Sequence, residues 1–229
     1  MKLLSLRLIL LGTLCITSLS AHAVFIGNDQ GRAEFPQGAL SFTDALVAYN
    51  PVIRNNEPTP NFRQPLNAVG LPDHTAAENN NPCPPGGTCS AVSLGDGGSI
   101  TLRFVDNRLT GSGNNQADLW VFEVGTDIED TFVEISQDGN LWHGVGKVFG
   151  STAGIDIDAY GWTTAHQFAF VRLRDDPALD AQVGTSVGAD IDAVGAISTV
   201  AVVREPATWA LMLGGAALLA ARCRRSVAR

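Results

Sequence analysis

The sequence predicts an all-β protein, an antiparallel jelly-roll-like β-sandwich, and three observations carry that prediction. From residue 99 onward, apolar and polar residues alternate with period two in short runs such as "SITLRFV" and "TFVEIS". Turn sequences such as "QDGN" separate the runs at hairpin spacing. No stretch of this region carries the 3.6 periodicity of an amphipathic helix. With 45% hydrophobic residues in 229, the chain has enough apolar side chains to fill one core.

The elements follow in chain order. Residues 1–23 place Lys2 and Arg7 around the start of the apolar run Leu8–Ile16 and end on Ala21-His22-Ala23. That is the layout of a secretory signal peptide cut after Ala23. Leu14 occupies the position where a lipidated Cys15 would need a small residue, which argues against a lipoprotein.

Residues 24–98 read as an N-terminal strand and a loop region packing on the sandwich. "GALSFTDALVAY" suits a short helix or a strand equally, whereas the Pro, Asn and Gly of residues 50–98 exclude long helices and central strands. Cys83 and Cys89 flank five residues containing two prolines and two glycines. In an exported chain this spacing predicts a Cys83–Cys89 disulfide. A zinc site is disfavoured because no second Cys or His pair lies nearby.

Residues 99–203 form the predicted sandwich core: "SITLRFV", with Ile100, Leu102 and Phe104 on one face; "DLWVFEV", with Trp120, Phe122 and Val124 on one face; then "TFVEIS", "LWHGVGKVF", "QFAFVRLRD" and "ADIDAVGAIST". Residues 24–203 carry 22 Asp and Glu against 8 Lys and Arg, a net charge of −14. Such a surface repels nucleic acid, so no nucleic-acid partner is expected, and it favours Ca²⁺.

Candidate chemistry is sparse. "IDIDA" at 155–159 and "ADIDA" at 189–193 repeat an Asp-x-Asp motif. On a regular strand Asp190 and Asp192 share a face about 6.5 Å apart. That is too far for both to grip one Ca²⁺ unless a bulge or strand end brings them together. The bland reading is that such aspartates are solvated or cap turns. Neither this repeat nor "DIEDT" at 127–131 matches an EF-hand loop. His74, His143 and His166 are scattered and no Gly-x-Ser-x-Gly elbow occurs, so no catalytic residue is assigned. A two-carboxylate glycosidase is uninformative as a reading, since 22 acids guarantee some pair at a suitable separation. Trp162 and Tyr160, in "DAYGWTT", are the candidate sugar-stacking residues because Gly161 places them in a loop; Trp142 is a weaker candidate, and Trp120 reads as core.

The strings "SLGDGGSITLRF", "ADLWVFEVG", "DTFVEISQDGNLWHGVG", "FAFVRLRDDP" and "GADIDAVGAI" resemble secreted bacterial jelly-roll domains related to the galactose-binding, discoidin-like sandwiches, over about Ala68 to Ile197. That resemblance implies a binding or adhesive module. It also implies a structural Ca²⁺ held by Asp190 or Asp192, with Asp118 and Glu123 as contributors.

Residues 204–229 form a separate tail. Ala207 to Ala221 carries no charge, and Arg222, Arg224 and Arg225 follow at once. A helix over Thr208–Ala221 would be about 21 Å long against a hydrocarbon core of roughly 30 Å, a short membrane span that snorkelling arginines extend. The positive cluster predicts a cytoplasmic C-terminus. Glu205-Pro206, the apolar helix and the arginines together resemble the PEP-CTERM sorting signal of Gram-negative bacteria, with Arg204 where that family's Pro-Glu-Pro begins with Pro. The resemblance implies an integral-membrane exosortase as partner, transient residence in the inner membrane, and delivery to the cell surface or extracellular polysaccharide matrix. The function these features predict is a non-enzymatic surface or matrix protein associated with exopolysaccharide; the alternatives are a carbohydrate-binding module with a specific glycan pocket and, disfavoured because no positioned acid–base pair can be named, a polysaccharide-cleaving enzyme.

Overall fold

The computed structural model describes residues 23–28, 31–75, 83, 89–125, 129–149, 152–178 and 184–202. The predicted signal peptide up to residue 22 and the predicted sorting tail, with Glu205, Pro206, Arg222, Arg224 and Arg225, lie outside the described residues. No helix among the described residues is long and apolar enough to cross a membrane.

The strands are β1 (Val24–Asn28), β2 (Gly31–Phe35), β3 (Ala45–Asn50), β4 (Val92–Ser93), β5 (Ser99–Arg103), β6 (Asn107–Leu109), β7 (Leu119–Glu123), β8 (Asp130–Ser136), β9 (His143–Phe149), β10 (Thr152–Ile155), β11 (Phe170–Asp175), β12 (Asp190–Ala196) and β13 (Thr199–Ala201). A five-stranded sheet of order β3-β5-β11-β8-β9 faces a four-stranded sheet of order β10-β7-β12-β4, and every pairing in both is antiparallel. The expected all-β sandwich is therefore present, and the runs read from the sequence after residue 99 all contain strands. β6, β10 and β13 are additional; each is three or four residues long, too short to show alternation.

Alternation fixes the main core. Ile100 and Leu102 of β5, Val171 and Leu173 of β11, and Val133 and Ile135 of β8 turn inward from the five-stranded sheet. Leu119 and Val121 of β7 and Ile191 and Val194 of β12 meet them from the other. Each such side chain, fully removed from water, contributes about 1.5–3 kcal/mol before entropy is counted.

Two sequence readings change. Trp120 and Phe122 do not line this core: β7 is apolar on both faces, and they point outward into a second cluster with Ala33, Phe35, Phe42 and Ala193. The Phe35 and Phe42 ring centroids are 4.7 Å apart, and Phe122 lies 6.0 and 5.9 Å from them. The β1–β2 hairpin thereby covers the outside of the four-stranded sheet. Nor does the sandwich begin at residue 99, because β3 and β4 are edge strands of the two sheets. "GALSFTDALVAY" divides into a 3₁₀ turn at Gly38–Ser41 followed by β3. Among the described residues of 51–91 the regular elements are the short 3₁₀ turns Pro60–Phe62 and Pro65–Ala68, as their composition requires. Cys83 and Cys89 are disulfide-bonded.

"QDGN" makes the β8–β9 turn. Asp138 accepts the N–H groups of Asn140 and Leu141, which hold its carboxyl down to about 2, and Gly139 takes a φ of 80°.

Candidate functional site

A polar constellation sits where β7 begins and β10 ends. Asp118 closes the loop from β6, and its N–H donates to the Ile155 carbonyl at 2.8 Å. Its Oδ2 accepts the Ile157 N–H at 2.9 Å, and its carbonyl accepts the Ile197 N–H at 2.7 Å. Asp118 thus joins three chain segments while fully buried. The chain then turns at Asp156, whose Oδ1 accepts the Asp158 N–H at 2.9 Å. Asp158 Oδ2 accepts from the Gly113 N–H at 2.8 Å and the Ser112 hydroxyl at 3.3 Å, tying the two loops together. One carboxylate oxygen from each of Asp118, Asp156 and Asp158 lies within 4.8 Å of the other two.

Gly111 lets the loops approach. A Cβ there would stand 2.1 Å from the Trp162 carbonyl oxygen and 2.7 Å from Asp158 Oδ1. Gly111→Ala is expected to destabilise the protein by roughly 1–3 kcal/mol by forcing these loops apart. The check is a lowered melting temperature with a shift in tryptophan emission; an unchanged melting temperature would show that the loops yield freely.

Beyond Asp158 a 3₁₀ turn, Asp158–Tyr160, ends at Gly161 in the left-handed region, φ 86°, and presents Tyr160 and Trp162. Tyr160 is exposed. Trp162 is half-buried, with its ring centroid 4.4 Å from His143, 5.2 Å from His166 and 5.3 Å from Phe168. Three neighbouring rings make it a wedge beneath the loop more than a free platform for a sugar. Trp142 is also occupied, by the Arg172 guanidinium 4.2 Å above its ring.

Sequence reasoning missed a groove on the other side of the same loop. About 400 Å³ in volume, it is lined by Arg32, Glu34, Gln116 and Trp120 together with Pro36 and Ile197. Trp120, half-buried on the second cluster, forms its apolar wall. The signal available in the sequence was the continuous apolar run of β7, whose Trp120-bearing face is left outside the main core.

The predicted metal residues do not assemble as one set. Asp118 and Glu123 flank and end β7, about 16 Å apart for five residues of strand. Asp192 is buried in β12, where its Oδ1 accepts the Asp73 N–H at 3.0 Å. The register of β12 against β7 does slip between Ile191 and Ala193, the bulge that convergence of Asp190 and Asp192 required. Asp190, also buried, accepts a short hydrogen bond from the Ser93 hydroxyl. Burial lifts its carboxyl to about 8; the Ser93 and Ser186 hydroxyls oppose the shift, and the Glu129 and Asp175 charges reinforce it. Glu123 is pushed well above the usual carboxylate range by burial and by the adjoining Glu129 carboxyl. Glu123, Glu129 and Asp190 therefore form a buried acid group at the far end of β7 from Asp118. Asp156 and Asp158 instead complete the cluster around Asp118, and the earlier of the two Asp-x-Asp repeats was their signal.

One serine–histidine contact is relevant to catalysis. His74 Nδ1 lies 3.1 Å from Ser90 Oγ, but both residues are buried, at 2% and 3% exposure, so the pair does not face solvent.

No protein-family model matches the chain, and no curated protein matches its sequence. Among solved structures, a chain described as CpGH89CBM32-6 produced by Clostridium perfringens aligns at 14% identity, covering 70% of this chain and 98% of that one, with a TM-score of 0.34. An alignment that loose transfers neither residues nor ligand to this protein.

Proposed function

We propose that the chain is an exported, non-enzymatic surface or matrix module that associates with extracellular polysaccharide. The observation that carries this reading is the groove beside β7, where an aromatic wall, an arginine, a carboxylate and an amide converge on one concavity. Sugars offer such a site axial C–H faces for the tryptophan and hydroxyls for the charged and amide groups. Tyr160, exposed on the turn after Asp158, is a second aromatic available to a ligand. The leader and tail supply the route: export, then recognition of Glu205, Pro206 and the arginines Arg222, Arg224 and Arg225 by an exosortase at the inner membrane.

The test is affinity electrophoresis of the purified chain through gels containing the host's exopolysaccharide. Retardation is expected, and exposed Arg32→Ala and Gln116→Ala should weaken it roughly tenfold, about 1.4 kcal/mol, with the melting temperature unchanged. Retardation lost in Trp162→Ala but kept in both groove variants would move the site to the Tyr160–Trp162 loop. Absence of retardation, or release of shortened glycan, would sink the binding reading. Intact mass of protein from the host medium should run from Val24 to near Pro206; retention of the tail to Arg229 in membranes would count against exosortase processing.

A further inference from the structure

We propose that Asp118, Asp156 and Asp158 form a calcium site that fastens the loop before β7 to the loop after β10. The three carboxylates come from two chain segments about forty residues apart in sequence, and one oxygen from each lies within 4.8 Å of the others. Oxygens bound to one Ca²⁺ at 2.3–2.6 Å can stand at most about 5 Å apart, so the set spans what one calcium ion spans. The corresponding limit for Mg²⁺, bound at 2.0–2.1 Å, is about 4.2 Å.

A second observation marks this cluster as more than surface acids. Asp118 has no solvent exposure, and while Oδ2 takes the Ile157 N–H, Oδ1 accepts no hydrogen bond. A carboxylate oxygen cut off from water and left bare is costly, and a cation shared with the neighbouring carboxylates removes that cost. Protein cations do not fill the role. Among the described residues Arg54, Lys147 and Arg172 make ion pairs with Asp96, Asp130, Asp176 and Glu134, and none of these pairs includes a member of the triad.

The donors are all oxygen, as a hard cation requires, and the Ser112 hydroxyl beside Asp158 is a further one. Asp156 and Asp158 are only half-buried, which leaves a path for the ion from solvent. Both loops are irregular, so backbone carbonyls can complete the six to eight ligands that Ca²⁺ takes. The site sits between the Trp120 groove and the Tyr160–Trp162 loop, and its argument is independent of what either binds.

Terbium provides the probe, because Tb³⁺ occupies calcium sites and emits when nearby aromatic rings are excited. The purified full chain, stripped with chelator, is expected to give sensitised Tb³⁺ emission that saturates at one equivalent and is displaced by excess Ca²⁺, and Ca²⁺ should raise the melting temperature. Asp156→Asn with Asp158→Asn, at half-exposed positions, should weaken Ca²⁺ by more than the roughly 10–100-fold that loss of an outer-sphere partner costs, while the chelator-treated melting temperature stays near wild type. Asp192→Asn should leave Tb³⁺ emission intact. Undiminished Ca²⁺ binding in the double variant, no Ca²⁺ binding by the wild type, or equal affinity for Mg²⁺ would each overturn the proposal. None of these readouts involves glycan, so failure here is separable from failure to bind polysaccharide.

Discussion

Phe122→Ala is expected to lower stability by about 3–5 kcal/mol, the usual cost of emptying a large aromatic site in a packed interior. Phe122 is fully buried although it points away from the space between the two sheets. Its ring meets Phe35 and Phe42, which hold the β1–β2 hairpin and the turn before β3 against the outer face of β7 and β12. Gly195 of β12 is part of the same fit, since a Cβ there would fall 2.7 Å from Phe35 and 2.9 Å from Phe42. The loss should therefore be uneven. Amide exchange should accelerate in residues 24–35 well before it does in β5 and β11, because the main core does not include Phe122. Chemical denaturation with segment-resolved exchange checks both parts. A loss under about 1 kcal/mol, or acceleration spread evenly over both sheets, would mean that the hairpin is held by something else.

Stability should also fall as pH rises from about 4 to 8, and Asp190→Asn should remove much of that fall. The Asp190 carboxyl titrates near 8 in the folded protein, against 3.8 for an unhindered one. Below 3.8 it is protonated whether the chain is folded or not, and contributes no pH dependence. Between the two values the folded state keeps a proton that the unfolded state has released, so each rise in pH favours unfolding. Above 8 both states are ionised and the dependence ends, leaving a buried anion among Glu129, Asp175 and Glu123. Glu123, raised by the same burial and by Glu129, acts in the same direction. Asparagine keeps the shape and can still accept from Ser93 without carrying charge. In chelator, the variant should match wild type at pH 4 and exceed it at pH 8 by several kcal/mol, as one pKa unit is worth about 1.4 kcal/mol. Parallel curves for variant and wild type would show that Asp190 is ionised in the fold throughout the range.

The sandwich was legible because its strands alternate. Ile100, Leu102 and Phe104 are all fully buried as their spacing demanded, and "QDGN" forms the turn its residues specify. Cys83 and Cys89 were legible for a similar reason, being joined across a short turn-prone loop. β7 was not, because "LWVF" is apolar at every position and period two cannot then say which face meets which core. Only the position of the β1–β2 hairpin turns Trp120 toward a groove and Phe122 toward Phe35 and Phe42.

The acids make the same division. Composition by itself determined that this is a strongly acidic domain with carboxylates to spare, and the repeated Asp-x-Asp motif singled out four of them. Which carboxylates meet was decided by tertiary structure alone. Antiparallel pairing of β7 with β10 brings Asp118 beside Asp156 and Asp158, while pairing of β7 with β12 sets Glu123 beside Asp190 at the opposite end. Neighbours across a sheet are fixed by register, and register depends on contacts between residues far apart in the chain, which no local spacing records.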